Sequence, residues 1–118
     1  MTTKTNKAFC RILITLIFVF PVFAFANPAH EKISSLTESK RRLVLATFLE
    51  NSGEKCPVVT KTYYQGSDKD GNAYWNASCQ GADSYQIQVR NYSQGSTKIL
   101  SCKVLKALNL SCFSKFKK

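Results

Sequence analysis

The 118-residue chain has a single histidine, His30, and 7 acidic residues against 17 lysines and arginines. One histidine excludes two-histidine catalysis and most zinc-enzyme ligand sets. The formal charge of +10 excludes an acidic, solvating chain, and a hydrophobic fraction of 44% excludes wholesale disorder. No Cys-x-x-Cys knuckle, internal repeat or low-complexity segment occurs. The length allows one domain.

What is present begins with an export address. Met1 to Arg11 carries Lys4, Lys7 and Arg11 and no acid, and Ile12 to Ala26 runs without a charge to Ala24-Phe25-Ala26. A basic start, an apolar run and small residues at −3 and −1 form a secretory signal. As helix, Ile12 to Ala26 spans about 22 Å, short of the ~30 Å hydrocarbon core that a retained anchor would have to cross. Cleavage after Ala26 is expected. It leaves residues 27–118 with 14 basic and 7 acidic residues, a charge of +7.

The mature chain keeps four of the five cysteines: Cys56, Cys79, Cys102 and Cys112. An even number in a short exported chain reads as two disulfides. A domain of this size buries only about 60–65% of its unfolded surface, so each bridge, worth about 3 kcal/mol, matters. Three connectivities exist, of which Cys56–Cys79 and Cys102–Cys112 suit the expected strands best.

Those strands follow a helix. Ser35-Leu36-Thr37-Glu38 fits a capping box, and Leu36, Leu43, Val44, Leu45, Phe48 and Leu49 form an apolar stripe ending at Gly53. A helix is expected over Leu36 to Asn51, with a looser turn over Asn27 to Ser34. Cys56 to Tyr64, Ala73 to Cys79, Tyr85 to Val89 and Thr97 to Cys102 read as strands, separated by turn-rich segments. Pairing Gln65 with Asn72 sets Val58 opposite Cys79, with Cys56 a diagonal neighbour. Val104, Leu105 and Leu108 indicate a short helix between Cys102 and Cys112. The expected fold is α+β: an N-terminal amphipathic helix on an antiparallel sheet of about four strands, a short C-terminal helix and two disulfides.

Candidate chemistry is sparse. Asp68-Lys69-Asp70-Gly71-Asn72 resembles the middle of a calcium loop, but alignment on Gly71 puts Gly66 at the first ligand position and Ala77 at the twelfth. A hairpin turn accounts for it without metal. A secreted cationic ribonuclease would fit the size and charge, yet it needs a rigid acid–base pair. His30, four residues into the mature chain, reads as a solvated tail residue. No enzyme, metal or cofactor is therefore expected.

Binding remains. Trp75 shares a face with Ala73, Ala77 and Cys79 and is expected in the core beside a disulfide. Tyr74, Asn76 and Ser78 occupy the opposite face, which is either a wet binding surface or lies under the helix. Of the two basic clusters, Lys40-Arg41-Arg42 fans over some 200° of helix and cannot face one ligand. Lys103, Lys106, Lys115, Lys117 and Lys118 crowd around Phe113 and Phe116, where they can meet an anionic surface or solubilise a tail. The expected binding residues are Tyr74, Asn76, Arg90, Lys115, Lys117 and Lys118.

Gly71-Asn72-Ala73-Tyr74-Trp75-Asn76-Ala77-Ser78-Cys79, then Ser84 to Ile87 and Gly95 to Cys102, resemble a group of small exported proteobacterial proteins. The resemblance covers roughly Cys56 to Phe113 and implies export and paired cysteines; it brings no activity. A weaker likeness, through Ser78-Cys79-Gln80-Gly81 and the strand that follows, is to periplasmic inhibitors of C-type lysozyme. Their Ser-Gly-x-x-Tyr loop has no match here, and a +7 chain is repelled by a cationic lysozyme. The functional expectation is a non-enzymatic periplasmic or secreted module or adaptor that binds an envelope or secreted protein by surface contact. Its alternatives are a binder of an anionic surface, lipid head group or nucleic acid, and a periplasmic enzyme inhibitor.

Overall fold

The structure, a computed structural model, describes residue 17, residues 27–91 and residues 96–117. The expected signal segment, Ile17 apart, lies outside the described residues, as does Lys118.

The segment expected as a loose turn is a helix, α1 (Pro28–Ser35). Three local features account for it. The Asn27 carboxamide accepts the His30 N–H, Pro28 occupies the first turn, and Glu31 and Lys32 sit where they complement the helix dipole. Leu36 is extended, with ψ 153°, and separates α1 from α2 (Glu38–Asn51). Thr37, not Ser35, caps α2 by accepting from the Lys40 N–H. The expected capping box does not form because both partners are engaged elsewhere. The Ser35 hydroxyl donates to Lys32 O, and the Glu38 carboxylate receives Thr62 of the first strand. At the far end Gly53 N–H donates to Glu50 O and Glu54 N–H to Leu49 O, with Gly53 at φ 80°. This is the left-handed stop that glycine adopts cheaply. The apolar stripe is narrower than expected: Leu45 and Leu49 are fully buried, while Leu43 points to solvent.

Four strands, β1 (Val59–Ser67), β2 (Ala73–Cys79), β3 (Tyr85–Val89) and β4 (Thr97–Ser101), form an antiparallel sheet in the order β1-β2-β3-β4. The expected first hairpin register is corrected. β1 starts later and runs through Gly66, so Val59 rather than Val58 faces Cys79, Gly66 faces Tyr74 and Ser67 faces Ala73. Shifts between Val59 and Lys61 and between Tyr64 and Gly66 absorb the extra residues. The loop is correspondingly tight, and Asp68 organises it: Oδ1 accepts from the backbone of Asp70 and Asn72. Cys56 then lies 5.3 Å from Cys79 between Cα atoms, and both expected disulfides, Cys56–Cys79 and Cys102–Cys112, are formed. The second bridge closes a loop containing α3 (Cys102–Ala107).

The sheet is covered on both faces. Ala73, Trp75, Ala77, Ile87 and Val89 pack with Ile33, Leu45 and Leu49 of the helices as the hydrophobic core. Burying Leu45 and Leu49 contributes about 1.5–3 kcal/mol each. The Asn76 face is closed by the chain that follows α3, and there the packing is polar.

Candidate binding surface

Gln65 is the centre of that polar layer. Its side chain is 1% exposed. Its Oε1 accepts from Asn76 Nδ2 at 2.8 Å and Gln86 Nε2 at 2.7 Å, and its Nε2 donates to Ser111 O at 2.7 Å and Ser114 O at 3.1 Å. Asn76 Oδ1 accepts the Phe113 N–H at 2.7 Å. These bonds hold residues 111–114 across the sheet. They also hold Phe113 at φ 57°, a left-handed conformation costing a non-glycine residue about 1–2 kcal/mol. Buried polar groups persist only when paired, and among the described residues every buried side-chain nitrogen and oxygen has a partner.

The expected binding residues separate on this ground. Asn76 is fully buried and spends its amide inside the protein, so the face it shares with Tyr74 is neither open nor under a helix. Tyr74 is half-buried; its hydroxyl donates to Asp68 Oδ2 and accepts from Gln88 Nε2, and Phe116 packs edge-on at 5.1 Å. Burial and the Asp68 carboxylate push the Tyr74 phenol up. Arg90 lies just past β3, half-buried, its N–H donating to Ser96 O. Lys115 donates to Tyr64 O at 2.6 Å and stands 4.7 Å over the Tyr64 ring. Lys117 is exposed, and Lys118 lies outside the described residues.

Asp68 spends its carboxylate on its own hairpin. Its two oxygens accept four hydrogen bonds, from the N–H groups of Asp70 and Asn72, the Asn72 amide and the Tyr74 hydroxyl. Burial works against its charge, but those bonds outweigh it and hold the carboxyl below the ordinary range.

His30 is corrected from a solvated tail to an anchored side chain. Asn27 Nδ2 donates to Gly71 O at 3.1 Å and Val89 O at 2.9 Å, which fixes the start of α1 on the sheet. His30 then stacks on Tyr64 at 4.5 Å, and its Nδ1 lies 3.0 Å from Trp75 Nε1. An indole N–H only donates, so Nδ1 accepts and the proton sits on Nε2, 3.4 Å from Ser34 Oγ. Burial holds the imidazole below its ordinary pKa, with Glu31 opposing. The free lone pair of the imidazole is thereby committed to the indole N–H. Arg41 completes the cluster, donating to Ile33 O, Ser34 O and Leu36 O and lying 5.0 Å over Trp75.

The open surface is the C-terminal segment itself. A six-residue helix has room for one inward side chain, and Leu105 takes it. Val104 (48%), Leu108 (62%), Leu110 (55%) and Phe116 (42%) remain exposed. Leu110, Lys115, Phe116 and Lys117 line a cavity of about 480 Å³. Residues 102–117 include Lys103, Lys106, Lys115 and Lys117 and no acid. Val104, Leu105 and Leu108 read in the sequence only as marks of a short helix and Leu110 is passed over, although four apolar residues at 104, 105, 108 and 110 cannot all fit under one helical turn.

No protein-family model, curated protein or solved structure matches the chain.

Proposed function

We propose that the protein is an exported, non-enzymatic binding module whose contact surface is the disulfide-closed C-terminal segment. The observation that carries this reading is the exposure of Val104, Leu108, Leu110 and Phe116 beside Lys106 and Lys117, which form no ion pair among the described residues, on a segment pinned by Cys102–Cys112 and the Gln65 network. Exposed apolar groups of this density on a held segment serve contact rather than folding. The basic, apolar and small-residue order of residues 1–26 supports export, and two disulfides suit an oxidising compartment. The engaged lone pair of His30 and the saturated oxygens of Asp68 support a role without catalysis. A partner meeting the Tyr74–Asn76 face is disfavoured, since Asn76 is enclosed.

Export and retention test this together. The recovered protein is expected to start at Asn27, to carry no free thiol, and to be retained by native envelope fractions. Leu108→Asn with Leu110→Asn is expected to abolish most of that retention while leaving the far-UV CD spectrum intact. Equal retention of the variant places the contact surface elsewhere and defeats the reading.

A further inference from the structure

We infer that the occupant of this surface is an anionic phospholipid bilayer, with the leucines entering the interface and the lysines meeting the phosphates. The inference rests on the proposed role of the C-terminal segment and adds the chemistry of the partner.

Charge complementarity comes first. Lys106 and Lys117 are exposed and form no ion pair among the described residues. The nearby acid, Asp83, is already held by Lys103 at 3.0 Å. Lys115, on the same segment, is tied to Tyr64 O. No carboxylate between residues 102 and 117 opposes an anionic surface.

The apolar side chains then choose among anionic partners. Single-stranded nucleic acid is gripped by aromatic stacking platforms beside basic grooves. Here Tyr64 is occupied by His30 on one side and Lys115 on another, and Tyr63 is taken by Phe113 and Lys115. The exposed residues are instead mostly aliphatic, Val104, Leu108 and Leu110, which gain nothing from a phosphate backbone, and the exposed aromatic, Phe116, is packed edge-on against Tyr74. A stable protein interface needs about 800 Å² from each partner with close shape matching. Here the exposed apolar side chains are four separate ones, Val104, Leu108, Leu110 and Phe116, on a short segment. A bilayer interface accepts irregular apolar side chains without shape matching, and lysine stems reach head groups while their methylenes stay apolar. The Cys102–Cys112 bridge and the polar network keep the segment ordered beforehand, so little conformational entropy is lost on docking.

The test is vesicle co-sedimentation of the oxidised protein as recovered after export. Vesicles of phosphatidylglycerol and phosphatidylethanolamine are compared with pure phosphatidylcholine. Binding is expected to the first and not the second, and to weaken as salt screens the head groups. Each lysine near an anionic surface is worth about a five-fold change, so Lys106→Gln with Lys117→Gln is expected to lower partitioning roughly thirty-fold. Leu108→Asn with Leu110→Asn is expected to lower it about ten-fold or more. All four side chains are exposed, so the variants keep the fold. Absence of sedimentation with anionic vesicles, or equal sedimentation with phosphatidylcholine, overturns the inference. So does binding to single-stranded DNA that needs the lysines and ignores the leucines. Failure on vesicles combined with leucine-dependent retention by a membrane-free envelope protein overturns the lipid assignment while leaving the contact surface standing.

Discussion

Replacing Gln65 by methionine tests whether the C-terminal segment is held by the polar layer or merely rests on it. Methionine matches the length of glutamine and removes its amide. Two carbonyls, of Ser111 and Ser114, then lose their donor, and two amides, of Asn76 and Gln86, lose their acceptor. A buried polar group stripped of its partner costs about 1–3 kcal/mol. The Asn76 and Gln86 amides are buried beside Gln65, whereas Ser111 and Ser114 are exposed residues whose carbonyls can turn to water. Weighting the two amides fully and the carbonyls little gives a loss of about 3 kcal/mol. Native stabilities of about 5–15 kcal/mol make this a large fraction. At about 4–8 °C per kcal/mol for a small domain, Tm falls by roughly 12 °C or more. Equilibrium urea unfolding reads the loss, and amide exchange shows where it falls, because Phe113 N–H depends on an Asn76 side chain that Gln65 orients. A loss under about 1 kcal/mol with unchanged protection at Phe113 would refute the account, since unpaired buried amides cannot be that cheap.

Two further outcomes follow from the same geometry. The folded pKa of His30 lies below the ordinary value of 6.5, so the unfolded chain binds the proton first. Stability is therefore complete above the ordinary value and is lost as pH falls from it through the folded pKa. His30→Phe should flatten the urea midpoint across that window, leaving the acid loss from Glu38 and Asp68, whose carboxyls sit below their ordinary values of 4.5 and 3.8, further down. A wild-type midpoint that does not move in the histidine range counts against the burial of the imidazole between Tyr64 and Trp75. Gly66→Ala places a methyl 3.1 Å from Phe116 Cδ2 at a backbone φ of 142°. A cost of about 1–3 kcal/mol and loss of the Phe116–Tyr74 ring contact by NMR are expected; an unshifted Phe116 ring contradicts the packing.

Much of this protein was legible along the chain because the governing physics is local. Alternation in Ala73 to Cys79 and Tyr85 to Val89, the Gly53 stop and the turn over Asp68 to Asn72 each depend on a few neighbouring residues. The pairing Cys56–Cys79 and Cys102–Cys112 followed from the same local reading, since a hairpin brings the first two together and the second two flank a short helix. The helix boundary was misread because Ser35 and Glu38 have the right spacing for a cap. The competing partner, Thr62, lies 24 residues from Glu38 and supplies two hydrogen bonds to its carboxylate.

Tertiary structure alone decided what covers each face. Alternation marks Trp75 and Asn76 as facing opposite ways but carries no information on which side stays wet. The answer depended on Gln65, Gln86 and the carbonyls of Ser111 and Ser114, brought together from separations of 11 to 49 residues. His30 was unreadable for the same reason: near a chain end a histidine looks solvated until Asn27 finds Gly71 O and Val89 O. Sequence by itself determined the main helix, the presence of four strands and the two staples, though not α1 or the bounds of β1, because propensity and periodicity act within a turn or two. Only the folded chain determined that Asn76 is enclosed and the C-terminal leucines are not, because burial is set by whatever distant segment arrives to exclude water.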